Sequence, residues 1–71
     1  MIIDYENPTV INIHKQWFGQ TEDGKTFMID GGYNEFDGYY VESVEFDDDD
    51  VENKDELIEE ITNKFLDEIE G

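Results

Sequence analysis

The sequence predicts a small α+β domain: a three-stranded antiparallel β-meander with one C-terminal α-helix packed on it. Three observations predict this class. Apolar and polar residues alternate in the first two thirds of the chain, glycine-containing turns separate the alternating segments, and apolar residues recur at helical spacing near the C-terminus. The chain has 71 residues, a length typical of one small domain. The predicted lead-in, three-stranded sheet, acidic junction and helix cover residues 1–8, 9–46, 47–53 and 54–70.

The first strand is predicted over residues 10–18, because Ile11, Ile13 and Trp17 fall on one side of an alternating segment. Proline at the end of the lead-in interrupts regular structure before this strand. The dipeptide Asp23-Gly24 then favours a tight hairpin turn.

The second strand is predicted over residues 25–30, with Phe27 and Ile29 on one face, and the turn GGYNEFDG follows it. The third strand, residues 39–46, carries apolar residues on both faces. One face holds Tyr40, Glu42, Val44 and Phe46, and the other holds Tyr39, Val41, Ser43 and Glu45. We assign the first set to the core, because its apolar side chains are the larger ones at the far end of the strand.

The helix is predicted from about residue 54 to residue 70. Asn53 is expected to be its N-cap, and Glu56 follows three residues later, as in a capping box. Six apolar residues at helical spacing form the stripe that should face the sheet: Leu57, Ile58, Ile61, Phe65, Leu66 and Ile69.

The charge of the chain is its most unusual property. It has 21 acidic residues, four lysines and no arginine, for a formal net charge of −17. Such a charge is typical of disordered chains, but aromatic residues make up 14% of this one and favour a folded domain. This charge disfavours direct binding to nucleic acid or to an anionic membrane, because cationic side chains provide the affinity for both.

The remaining composition bears on localisation. The chain has no cysteine, so it forms no disulfide bond and no thiolate zinc site. Its N-terminus has neither a basic region nor a long apolar run, so no signal peptide and no membrane span are predicted. These features are compatible with a cytoplasmic protein. The absence of alanine and the single proline suggest an AT-rich genome, bacterial or phage.

The run of four aspartates is a candidate calcium loop. With Asp48 as the first position, Asp50, Glu52 and Glu59 occupy positions three, five and twelve of an EF-hand. The pattern fails at position six, where Asn53 replaces glycine, and the entering segment is predicted to be a strand. No specific metal ligand and no cofactor are therefore predicted, although clustered carboxylates can bind hard cations weakly.

Catalysis has no clear candidate residues. His14 is the only histidine, and nothing singles out an acid–base pair among the carboxylates. The pair Gly31-Gly32 precedes no helix and no correctly spaced lysine, so it does not form a phosphate-binding loop. We interpret His14 as an ordinary strand residue, and we expect the protein not to be an enzyme.

The carboxylates are the predicted binding surface. A compact chain of this length spans about 28 Å, and about 28 Å of duplex DNA carries roughly 17 negative charges. Like-charge pairs such as Asp55–Glu59 and Glu56–Glu60 each weaken the helix by about 0.2–0.5 kcal/mol, so stability alone does not explain them. The predicted acidic surface consists of Glu42, Glu45, Asp47, Asp48, Asp49, Asp50, Glu52, Asp55, Glu56, Glu59, Glu60 and Asp67.

Aromatic residues around the second turn are a second candidate contact. Tyr33, Phe36 and Tyr39 lie near glycine and asparagine, a composition typical of binding hot spots. The alternative is that two or more of them complete a small core.

The sequence therefore predicts a non-enzymatic acidic protein that imitates DNA and occupies the basic, nucleic-acid-binding site of a partner protein, as an inhibitor or competitor. Two alternatives remain open: a divalent-cation (calcium) binding protein, and a small structural or assembly protein. An exposed edge strand in so small a sheet would also allow a homodimer.

Overall fold

The structure, a computed structural model, describes residues 1–11 and 14–70, with Ile11 described by its backbone only. These residues form five strands and one helix. The strands are β1 (Ile2–Ile3), β2 (Thr9–Ile11), β3 (His14–Gln20), β4 (Thr26–Asn34) and β5 (Gly38–Phe46), and the helix is α1 (Lys54–Glu70). The predicted α+β class with a C-terminal helix is confirmed.

The sheet is antiparallel, and the strand order is β1-β3-β4-β5, with β2 also paired to β3. The predicted second and third strands correspond to β4 and β5. The prediction of one continuous first strand over residues 10–18 is wrong, because Val10 and Ile11 belong to β2, which pairs antiparallel with β3. The prediction of three strands is wrong in number, because β1 and β2 pair with the other edge of β3, where Ile3 lies opposite Gly19 and Val10 opposite Lys15. Strands of two or three residues carry too little alternation to be recognised in the sequence.

The helix covers one face of the sheet and closes a single core. Trp17 lies opposite Ile29, and Ile29 lies opposite Val44, so three neighbouring strands direct these side chains to the same side. The predicted inward directions of Ile11 and Ile13 concern side chains outside the described residues. The buried core consists of Ile3, Trp17, Phe27, Ile29, Val44, Ile61 and Phe65.

A β-bulge in β5 changes which residues of that strand reach the core. Asp30 pairs with Ser43, whereas the next residue, Gly31, pairs with Val41, so β5 contains one extra residue. Val44 and Phe46 contribute to the core as predicted. The assignment of Tyr40 is wrong: beyond the bulge the alternation shifts, and Tyr39 and Val41 pack on the core instead.

Glycine at position 31 is what allows the strands to approach at the bulge. A Cβ atom there would lie 2.1 Å from the carbonyl oxygen of Tyr40 and 3.1 Å from the Cα of Val41. Both contacts are with backbone, which cannot move aside as a flexible side chain can.

We expect Gly31→Ala to lower the free energy of unfolding by about 1–3 kcal/mol, the usual effect of forcing extra atoms into a packed site. Urea unfolding followed by fluorescence of the single tryptophan measures this. The control is Ser43→Ala, an exposed position beside the bulge, which should change stability by less than about 0.5 kcal/mol. Equal stability of the two variants would contradict the account of the bulge.

The start of α1 differs from the predicted capping box. Asn53 has a φ of 54°, in the left-handed region, which asparagine tolerates better than most residues. An N-cap residue ordinarily has an extended backbone, so Asn53 is not an N-cap of the predicted kind. It begins the helix through its backbone carbonyl, which accepts a hydrogen bond from the N–H of Leu57 at 3.0 Å.

Candidate functional site

The solvent-facing side of α1 carries a row of carboxylates. Ile61 and Phe65 are buried against the sheet, and their position on the helix directs the remaining faces towards solvent. The last turn of the helix contains no basic residue, although the helix dipole would favour one there. We call the following exposed residues the helix carboxylates: Asp55, Glu56, Glu59, Glu60 and Asp67.

The aspartate run, Asp47–Asp50, connects β5 to the turn before α1 and is exposed throughout. It is held beside the β3–β4 turn, because the N–H of Asp47 donates to the carbonyl of Thr26 at 3.1 Å and Lys25 Nζ lies 2.7 Å from Asp48 Oδ2. The hydrogen bond from Lys25 lowers the pKa of the Asp48 carboxyl, and the backbone N–H of Asp50 adds to this effect. Asp48 therefore stays ionised, and the ammonium group of Lys25 compensates part of its negative charge. The four aspartates of the run line one open groove.

Glu42 and Glu45 do not share a face with the helix carboxylates. Glu45 lies opposite Met28, and Val44 beside it points into the core, so Glu45 is on the side of the sheet that α1 leaves uncovered. Glu42 lies close to His14 on that same side. Glu52 is exposed in the turn before the helix. The predicted acidic surface thus consists of a helix-side part, extended by the aspartate run, and a separate pair on the opposite sheet face.

The three aromatic residues differ sharply in exposure. Phe36 is 96% exposed and Tyr33 is 55% exposed, whereas Tyr39 is half-buried with its ring centroid 6.3 Å from that of Trp17. Asn34 shapes the turn, because its Oδ1 accepts hydrogen bonds from the backbone N–H groups of Phe36 and Asp37. Phe36 is therefore exposed to solvent at the tip of the β4–β5 hairpin, whereas Tyr39 packs against the core.

The hairpin tip lies beside the C-terminal end of α1. A Cβ atom placed on Gly38, at the end of the turn, would lie 3.1 Å from Glu70 Oε1. Since α1 runs back along β5 from the aspartate run, the helix carboxylates lie between that run at one end and Phe36 at the other.

Few basic side chains form ion pairs with these carboxylates. Lys64 Nζ lies 2.6 Å from Glu68 Oε1, and Glu68 also accepts a hydrogen bond from the Tyr5 hydroxyl. The hydrogen bond from Lys64 lowers the pKa of the Glu68 carboxyl, and the bond from Tyr5 lowers it further. Burial raises the pKa of the Tyr5 hydroxyl, and its hydrogen bond to Glu68 adds to this effect. Among the described residues, only two members of the predicted acidic surface have a basic side chain within ion-pair distance: Asp48, next to Lys25, and Glu42, next to His14.

A cluster that the sequence did not reveal lies on the uncovered sheet face. His14, Asp30 and Glu42 each offer one ligand atom, and these atoms all lie within 4.8 Å of one another. No other group of three or more potential metal ligands occurs in the part of the chain that the structure describes, so the aspartate run forms no such group. The three residues come from three strands, and only the register and the bulge bring them together.

Within the described residues, no helix is long and apolar enough to cross a membrane. In comparisons with protein families, curated proteins and solved structures, nothing matches the chain.

Proposed function

We propose that this protein is a non-enzymatic binding protein that occupies the basic, nucleic-acid-binding site of a partner protein, as an inhibitor or competitor. Its contact surface would be the helix carboxylates together with the aspartate run, with Phe36 as an apolar anchor at one end. One observation carries the proposal: the helix carboxylates are exposed and have no basic side chain within ion-pair distance among the described residues.

The charge density of the molecule supports a surface that imitates DNA. Its longest dimension is 36 Å and its formal net charge is −17, or about one net charge per 2 Å of length. Duplex DNA carries one charge per ~1.7 Å of its axis. A site that is electrostatically complementary to DNA would therefore also attract this protein, and salt would weaken the attraction.

The arrangement of the charges also supports a surface that binds a partner protein, and not one that serves solubility alone. A surface needed only for solubility can mix lysine with glutamate, which stabilises a helix through pairs four residues apart. Here Asp55 precedes Glu59 and Glu56 precedes Glu60 at that spacing, so the pairs are repulsive. Of the two lysines on α1, Lys64 pairs with Glu68, and Lys54 is not within ion-pair distance of a helix carboxylate, so two lysines stand on α1 against five helix carboxylates.

Affinity capture with three elution conditions tests this function. The immobilised protein is exposed to nuclease-treated bacterial lysate at low salt and then eluted with salt, with duplex DNA, or with poly-glutamate at the same charge concentration. We expect nucleic-acid-binding proteins to be retained, released by salt, and displaced by DNA at concentrations where poly-glutamate has no effect. Retention of no such protein, or equal displacement by both polyanions, would contradict the proposal.

A further inference from the structure

The cluster of His14, Asp30 and Glu42 lies on the sheet face opposite α1, and three adjacent strands contribute one residue each. Gln16 pairs with Asp30, and Asp30 pairs with Ser43. His14 lies two residues before Gln16 on the same face of β3, and Glu42 precedes Ser43 at the bulge, so both are diagonal neighbours of Asp30. Their ligand atoms converge to within 4.8 Å of one another.

The β-bulge aims Glu42 at this cluster. In a regular strand Glu42 would point to the same side as the buried Val44, into the core. The bulge sets Glu42 and Ser43 together against Asp30, and Glu42 Oε2 consequently lies 3.6 Å from His14 Nδ1 on the outer face. Bulges often redirect a side chain next to a functional site, and here Gly31 makes the bulge possible.

The imidazole nitrogen that faces Glu42 has no hydrogen-bond partner among the described residues. His14 Nδ1 is shielded from solvent, and no described residue forms a hydrogen bond with it. A shielded polar atom without a partner is unfavourable, so native structures seldom leave one unexplained. The separation of 3.6 Å from Glu42 Oε2 exceeds an ordinary N–H···O hydrogen bond of about 2.7–3.2 Å. Two ligand atoms that each lie about 2.0–2.1 Å from a tetrahedral zinc ion are roughly 3.3 Å apart. The distance between His14 Nδ1 and Glu42 Oε2 is close to this value.

We propose that His14, Asp30 and Glu42 bind a divalent transition-metal ion of the zinc class. An imidazole with two carboxylates is a ligand set that zinc accepts, whereas calcium and magnesium prefer oxygen atoms alone. A cation would also relieve the repulsion between the two carboxylates and supply the partner that Nδ1 lacks. Three protein ligands leave a coordination position for water. This site is separate from the helix carboxylates and does not depend on the proposed function.

Zinc titration of the full chain tests the site, with millimolar magnesium present to occupy the exposed carboxylates. Calorimetry gives the stoichiometry and affinity, and NMR of the single histidine reports directly on His14. We expect one zinc ion per chain at micromolar affinity or tighter, with a saturable shift of the His14 ring signals at the same zinc concentration. An ordinary exposed acidic surface would instead give weak binding that magnesium removes.

Three variants locate the ion. His14→Gln and Glu42→Gln should each weaken zinc binding by at least about 10–100-fold, the loss that even an outer-shell change causes. Asp49→Asn, in the aspartate run, should leave zinc affinity unchanged. Far-UV circular dichroism checks that all three variants are folded.

Two outcomes would overturn the proposal. One is zinc binding that survives both His14→Gln and Glu42→Gln but falls in Asp49→Asn, which would place the ion on the aspartate run. The other is the absence of saturable zinc binding in magnesium, which would leave the cluster as a histidine–carboxylate ion pair only.

Discussion

Phe65→Ala is expected to unfold most of the molecules at room temperature. Phe65 is fully buried, its ring centroid lies 4.7 Å from that of Trp17, and it stacks on Tyr5 at 5.9 Å. Removing a buried phenylalanine side chain destabilises a protein by about 3–5 kcal/mol. A domain of this size has a total stability of only about 3–5 kcal/mol from one core. The stability lost in Phe65→Ala is therefore about as large as the stability of the whole domain.

Fluorescence of Trp17, the single tryptophan, measures the outcome, because this side chain is 1% exposed in the folded state. The emission of Phe65→Ala should resemble that of the urea-unfolded protein. Phe36→Ala is a matched control that removes the same side chain from a position 96% exposed, and its urea midpoint should equal the wild-type value. If Phe65→Ala instead unfolds cooperatively at the wild-type urea midpoint, Phe65 does not contribute to the core between α1 and the sheet.

Neutralising three helix carboxylates should remove partner binding and stabilise the fold. The variant combines Glu59→Gln, Glu60→Gln and Asp67→Asn, and it keeps the two acidic residues of the first turn, which the helix dipole stabilises. The first two changes relieve repulsion with Asp55 and Glu56, and the third removes a negative charge from near the C-terminal end of the helix dipole. We expect a higher melting temperature, together with association to the captured partner that is slower by about tenfold or more at low salt.

The control variant changes the net charge equally but elsewhere. It combines Asp4→Asn, Glu42→Gln and Glu45→Gln, which are exposed. Glu42 and Glu45 lie on the uncovered sheet face, and Asp4 lines a groove with Phe18, whose partner Met28 lies opposite Glu45. It should retain association within about twofold of wild type if the location of the charge matters and not its total. Equal losses in the two variants would argue for non-specific attraction, and full binding by the helix variant would refute the proposed surface.

Local patterns were sufficient for the main elements. Alternation in the segments around Trp17, Phe27 and Val44 predicts strands, and the Asp23-Gly24 dipeptide predicts the hairpin that joins β3 to β4. The stripe containing Ile61 and Phe65 predicts the helix and its inward face. These patterns depend on residues close in the chain, and the period of apolar residues reports directly on which side of an element is buried.

Such local patterns do not predict features that depend on residues far apart in the chain. Ile2 and Ile3 form a strand only because the edge of β3 is available to pair with them. The Asn53 backbone conformation, likewise, differs from the expected N-cap although the sequence resembles a capping box. In both cases the surrounding fold decides between local alternatives of similar energy.

The class of fold, the helix that faces the sheet and the excess of negative charge can all be predicted from the amino-acid sequence, since each follows from composition or from neighbouring residues. Only the folded sheet reveals that Glu42 lies across from the helix carboxylates, where it meets His14 and Asp30. The cause is the bulge opposite Gly31: one extra residue in β5 reverses the side-chain alternation, and the close backbone approach that permits it exists only once the strands have paired.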